Sequence, residues 1–173
     1  YFHYAEKKGY SGVGIYARRQ PDQIIEGLGI RDIDAEGRYI ELVFGKLSVV
    51  SVYLPSGSSG EHRQAAKFKF MKRFYPHLAK LAKSGREVIL CGDWNIAHNP
   101  VAWEMMFEAV PYDNLGLEWE PCHQMVSLID PMPQLRKWVS KIFHLHGKDA
   151  TVLWDVVRQK GVHGRTQFAF HRT

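Results

Sequence analysis

The 173-residue sequence has only two cysteines, Cys91 and Cys122, and neither belongs to a C-x-x-C pair. That excludes a disulfide framework and makes a reducing, cytoplasmic setting the expected one. No run approaches the ~18 consecutive apolar residues of a membrane-spanning helix, so no membrane role is expected. No secretory-leader pattern opens the chain. It starts at Tyr1, without a methionine and in mid-pattern, which points to a fragment. Internal repeats and low-complexity runs are absent. With 45% hydrophobic and 24% charged residues, wholesale disorder is excluded too.

What charge there is lies unevenly. The formal net charge is +5. Residues 1–97 carry fifteen Lys/Arg against ten Asp/Glu. From Trp103 to Asp130 there are six acidic residues and no basic one, and from Pro131 the balance turns basic again. The composition thus changes abruptly near His98. A basic surplus is compatible with a polyanionic partner.

The first part reads as strands. Gly12–Arg18 suits a short strand, Arg38–Phe44 a second, and Leu47–Tyr53 a β-branched, near-continuous apolar third. Gly45-Lys46 reads as a hairpin break between the last two, so the three form an antiparallel meander. Ser58-Ser59-Gly60-Glu61 has capping-box spacing and should open a helix over 61–83. Phe68, Met71, Phe74, Leu78 and Leu81 would line one side of it, and Arg63, Lys67, Lys69, Lys72, Arg73, Lys80 and Lys83 the other. Pro76 should kink or restart it. Glu87–Cys91 reads as a second buried strand, with Cys91 in the core. The class is α+β.

The most specific feature follows that strand: Gly92-Asp93-Trp94-Asn95-Ile96-Ala97-His98. Asp93 and Asn95, two apart at a strand exit, would point the same way. A carboxylate beside a carboxamide can orient water, bind a hard cation and donate to a phosphate oxygen. The alternative is an Asx turn that satisfies its own backbone. Tyr53 also ends a strand. If the two strands are neighbours, Tyr53, Asp93 and Asn95 converge on one sheet edge, where a phenol can stabilise a phosphoryl oxygen.

Gly9-Tyr10-Ser11-Gly12-Val13-Gly14, Glu36-Gly37-Arg38, Val52-Tyr53-Leu54-Pro55 and Gly92–His98 together resemble the exodeoxyribonuclease III / AP endonuclease family of the endonuclease/exonuclease/phosphatase superfamily. The resemblance covers nearly all of residues 1–98. It implies a four-layer αββα sandwich, here incomplete at both ends, and a DNA-repair nuclease. The implied reaction is divalent-metal-dependent phosphodiester hydrolysis on duplex DNA, as 3′-to-5′ exonuclease and as AP endonuclease. By the same resemblance Asp93 orients the attacking water, Asn95 holds phosphate and water, and Tyr53 contacts the scissile phosphate. Gly9, Tyr10 and Arg38 match positions that touch the DNA backbone. The cation would be Mg²⁺ or Mn²⁺, held in part by Asp93 and Asn95, and the protein a monomer.

Three parts of the family pattern are missing from the chain. The Gln-Glu motif with the main metal ligand would precede Tyr1. A C-terminal strand bearing an Asp, and the closing Ser-Asp-His motif, would come later; no Asp-His pair occurs. After His98 the family's basic, Asn-rich loop is replaced by the acidic, apolar Asn99–Met106. Residues 1–98 are therefore expected to be the central part of the nuclease domain. Residues 99–173 are a divergent tail, either a continuation of the same domain or a frameshifted segment. This exact chain is expected to be weak or inactive, the alternative being a non-catalytic remnant with at most weak nucleic-acid binding. The tail's Cys122, His144, His146, His163 and His171 match no structural zinc spacing and read as surface or helix-face residues.

Overall fold

The computed structural model describes all residues except 58–60, 96–99, 149, 162–169 and 173, with backbone alone for 100 and 170–172. The predicted cap residue Ser58 lies outside the described residues. Two compact units are present, Tyr1–Asn95 and Ile96–Thr173.

In the first unit, β1 (Phe2–Tyr4) pairs antiparallel with β2 (Gly12–Gly14). A four-stranded sheet follows, built from β3 (Gln23–Glu26), β4 (Tyr39–Phe44), β5 (Leu47–Tyr53) and β6 (Glu87–Asp93) in that spatial order. The first three are antiparallel and β6 joins β5 in parallel. The short α1 (Arg31–Asp34) lies between β3 and β4, and the long α2 (Glu61–Ala82) crosses from β5 to β6. The fold is α+β. The expected meander is present, but Gln23–Glu26 supplies its first strand. The Gly12–Arg18 segment is a strand only to Gly14 and pairs with Phe2–Tyr4 instead.

The core lies between the sheet and α2. Tyr39, Val50, Val52 and Leu54 from the sheet meet Phe70, Phe74 and Leu81 from the helix, with Ile33 of α1. Alternation along β5 sends Val50 and Val52 toward α2, whereas Tyr39 to Val43 of β4 are all buried, so the sheet is covered on both faces there.

Three expectations are corrected. In α2, Phe74 and Leu81 are buried and Met71 and Leu78 pack against the core as expected, but Phe68 is exposed, Phe70 is buried instead, and Lys67 is buried. The helix runs through Pro76 without restarting; Phe74 before it and Leu81 after it anchor both halves in one core, and packing of this kind supplies most helical stability. Cys91 is exposed, not buried, since β6 is the outer strand of the sheet and only its Leu90 packs against the core.

The second unit contains α3 (Pro100–Ala109), β7 (Leu117–Trp119), α4 (Pro121–Val126), α5 (Met132–Trp138), β8 (Ile142–Leu145), β9 (Ala150–Val152), α6 (Trp154–Lys160) and β10 (Phe170–Arg172). Strands β7 and β8 are parallel; β9 and β10 are antiparallel. Trp103, Phe107 and Trp119 form its largest apolar cluster. No described helix is long and apolar enough to cross a membrane.

Candidate phosphodiesterase site

The parallel β5–β6 register brings the principal candidates together. Tyr53 is the Cα partner of Asp93, each the last residue of its strand. Gly92 makes this closeness sterically feasible: a β-carbon there would lie 1.8 Å from the Val52 carbonyl oxygen of the neighbouring strand. Its φ of 152° also suits glycine.

Asn95 is held tightly beside this pair. Its backbone N–H donates to Asp93 Oδ1 at 2.9 Å, and its Nδ2 donates to the Leu54 carbonyl at 2.8 Å. Its φ is +50°, a left-handed conformation that Asn tolerates better than most residues. Asp93 and Asn95 therefore form the Asx turn that was the alternative reading. The turn leaves Asp93 exposed and spends one Asn95 side-chain N–H on the backbone.

Arg38 enters from the start of β4. It is 2% exposed. Its Nε donates to the Glu36 carboxylate and its Nη1 to the Tyr53 carbonyl at 3.0 Å. The guanidinium carbon sits 5.0 Å from the Tyr53 ring centroid and 5.8 Å from that of Tyr10. A planar guanidinium is suited to bridging two rings and a carboxylate at once. Direct contact of Arg38 with a DNA backbone does not fit this burial; what its side chain does is hold Tyr53 and Tyr10. Tyr10 itself is exposed, follows Gly9 in a left-handed turn, and has Lys7 Nζ 5.4 Å over its ring.

Two residues of the site were not singled out in the sequence. Arg63 Nη1 donates to the Tyr10 hydroxyl at 3.2 Å, and this hydrogen bond is the main reason that the phenol's pKa lies below its usual value. Lys67 is buried and donates through Nζ to the Asn95 carbonyl. Burial lowers its pKa, with the Asp93 charge opposing. The available signal was their i, i+4 spacing in the first turns of α2, directly after the loop that leaves Tyr53. Both had been read with the solvated basic face. Lys7, Arg38, Arg63 and Lys67 give the site a positive surplus over Glu36 and Asp93. A separate open groove of about 610 Å³, lined by Leu28, Ile30, Pro76, His77 and four cations of α2, shares no residue with it.

Residues 1–102 match the Endonuclease/Exonuclease/phosphatase family. The chain belongs to that family. Among the relatives it resembles, an exodeoxyribonuclease of Bacillus subtilis is 37% identical over 101 residues, covering 58% of this chain and 40% of the relative. A DNA-(apurinic or apyrimidinic site) endonuclease of Dictyostelium discoideum is 34% identical over 99 residues, covering 56% and 27%. The DNA repair nuclease APEX1 of Danio rerio is 32% identical over 96 residues, covering 56% and 31%. The chain thus spans well under half the length of the curated relatives it matches.

Proposed function

We propose that the chain supplies the phosphate-binding and water-orienting part of a DNA-repair nuclease that hydrolyses phosphodiester bonds in duplex DNA. The specific activities proposed are 3′-to-5′ exodeoxyribonuclease and AP endonuclease, and the substrates duplex DNA with an abasic site or a 3′ end. The observation that carries the reading is the Tyr53–Asp93 pairing at the ends of two parallel strands, with cations gathered around it. Relatives bearing nuclease names support it. Only two cysteines and no C-x-x-C pair support a reducing, cytoplasmic location, and the working state is a monomer.

In this reading the Tyr53 hydroxyl donates to a non-bridging phosphate oxygen, with its ring fixed by Arg38. Asp93 accepts a hydrogen bond from the attacking water and orients it. Asn95, locked by its turn, offers its second side-chain N–H to the phosphate. Lys67 holds the turn's carbonyl and adds positive charge close to Asp93. Gly9 and Tyr10 meet the DNA backbone, and Arg38 is a positioning residue behind them.

The implied Mg²⁺ or Mn²⁺ does not fit the residues described here. Mg²⁺ is held by one or two carboxylates together with substrate phosphate oxygens and water. Asp93 offers one carboxylate, one of whose oxygens already accepts from Asn95, and the site's other carboxylate, Glu36, is engaged by Arg38. Among the described residues Asp93 belongs to no group of three such ligand residues. This observation also favours the second reading, a non-catalytic remnant with at most weak nucleic-acid binding.

One assay separates the two readings: cleavage of an end-labelled abasic-site duplex by this polypeptide in Mg²⁺. The nuclease reading requires trace cleavage that disappears in Asp93→Ala, together with salt-sensitive duplex binding weakened by Tyr10→Ala. No cleavage and no salt-sensitive binding would leave the remnant reading standing. Cleavage that persists in Asp93→Ala would belong to a contaminant.

A further inference from the structure

The second unit gathers metal-binding side chains that lie apart in sequence. Strands β7 and β8 run parallel, with Trp119 opposite Leu145. The next residue on each strand therefore emerges side by side, and His146 N–H donates to the Trp119 carbonyl at 2.9 Å. This sets Glu120 beside His146, whose Nδ1 lies 2.9 Å from Glu120 Oε2. Pro121 then starts α4, and its first turn folds Cys122 and His123 back onto the same carboxylate. Cys122 Sγ is 2.9 Å from Glu120 Oε1, and His123 Nε2 is 3.4 Å from it. One ligand atom from each of Glu120, Cys122 and His123 lies within 4.8 Å of the others.

We propose that Glu120, Cys122 and His123, completed by His146, form a site for a borderline-soft transition metal, with Zn²⁺ the fitting ion. A thiolate, two imidazoles and a carboxylate are ligands of that class and suit neither Mg²⁺ nor Ca²⁺. Around tetrahedral zinc, with bonds of about 2.0–2.3 Å, donor atoms sit roughly 3.3–3.8 Å apart. The His123 contact on Glu120 Oε1, 3.4 Å, falls in this window, the Cys122 contact, 2.9 Å, is shorter than it, and His146 lies outside the compact trio, so Cys122 and His146 must adjust to close the shell. Binding would release the Cys122 thiol proton to solvent and leave the thiolate on the metal. It would also displace Lys148, whose Nζ now lies 3.2 Å from Glu120 Oε1 and whose half-exposed side chain is able to swing away. The site is independent of the nuclease reading, because it shares no residue with the Tyr53–Asp93 pair.

The test is titration of the full chain with Co²⁺, after treatment with a chelator, followed by competition with Zn²⁺. The expected result is one Co²⁺ per chain with a thiolate-to-cobalt charge-transfer band that Zn²⁺ abolishes. The band should vanish in Cys122→Ser and survive in Cys91→Ser, whose thiol is exposed on β6. Because Cys122 is fully buried, two surface variants carry the same test with folding checked by far-UV circular dichroism. His123→Ala should weaken Co²⁺ binding at least about tenfold, as loss of one ligand demands. Lys148→Ala should tighten it several-fold by removing the competing cation. A titration without the band, a band that follows Cys91, or affinities unmoved by His123→Ala and Lys148→Ala would overturn the proposal.

Discussion

The Arg38 guanidinium is held by the Glu36 carboxylate, the Tyr53 carbonyl and two aromatic rings, almost out of contact with solvent. Lysine would keep the charge but lose both the fork and the plane. Arg38→Lys is expected to destabilise the fold by about 3–5 kcal/mol, the range for breaking a buried pair. The reading is a lower urea midpoint at unchanged m-value; a shift under about 0.5 kcal/mol would return Arg38 to the surface contacts. His77 gives a prediction of a different kind. Tyr39 spends its single hydroxyl proton on Glu41 at 2.8 Å, so His77 Nε2, 2.7 Å from that hydroxyl, must be the donor. The imidazole is neutral in the folded chain because burial lowers its pKa; Lys80 adds to this and Glu41 opposes it. The unfolded chain takes up the proton near pH 6.5, so the contribution of His77 is fully present above that pH. It is lost as pH falls from there through the lower folded value. Urea midpoints measured from pH 7.5 down to 5 should decline, and His77→Gln should flatten that limb; an unchanged slope would show that His77 does not titrate differently on folding.

At the scale of elements, the junction of β5 and β6 positions the candidate site, and Gly92 sets how closely the strands meet. A methyl group there would meet the Val52 carbonyl oxygen at 1.8 Å, with the Val52 carbonyl carbon and nitrogen at 2.8 and 2.9 Å. Neither strand backbone can yield without breaking the ladder. Gly92→Ala should therefore cost about 1–3 kcal/mol, and it should weaken duplex binding together with stability, measured by thermal melting and fluorescence anisotropy. A fully stable Gly92→Ala would mean that the strands separate there at little cost. Both strands of this junction were legible, because Leu47–Tyr53 carries the apolar pattern and Gly92-Asp93-Trp94-Asn95 is a specific motif. The third strand of the meander was not: Gln23–Glu26 is only four residues long and holds just two apolar residues, Ile24 and Ile25. The core-facing side of α2 was legible in Met71, Phe74, Leu78 and Leu81, but spacing alone does not distinguish Phe70, which is buried, from Phe68, which is exposed. Lys67 was hidden by the same ambiguity. The Glu120 cluster had no linear signature at all, since a parallel strand pairing brings Glu120 and His146 together.

Across the whole molecule, the basic surplus of residues 1–97 falls on the unit that holds Tyr53, Asp93 and Asn95. Positive charge draws a polyanion near, but hydrolysis of a phosphodiester also asks for a bound metal to offset charge on the phosphate. The Asp93 carboxylate is shared with an Asx turn and faced by the buried ammonium of Lys67, and Glu36 is engaged by Arg38. That ammonium disfavours a second cation at the same carboxylate by simple repulsion. A ligand that binds only the folded state with a dissociation constant of about 1 mM would stabilise it by about 1.4 kcal/mol at about 10 mM. For this chain in the absence of DNA, the expected stabilisation by Mg²⁺ at that concentration is below about 0.5 kcal/mol. The measurement is a set of urea curves with and without Mg²⁺, at matched ionic strength so that screening does not imitate binding. Lys67→Met should leave the effect small, because removing repulsion supplies no further oxygen ligand. If Mg²⁺ instead stabilises the parent chain by a kilocalorie or more and Asp93→Ala abolishes the gain, then the residues described here do build a cation site. Catalytic activity would in that case be expected of this polypeptide alone.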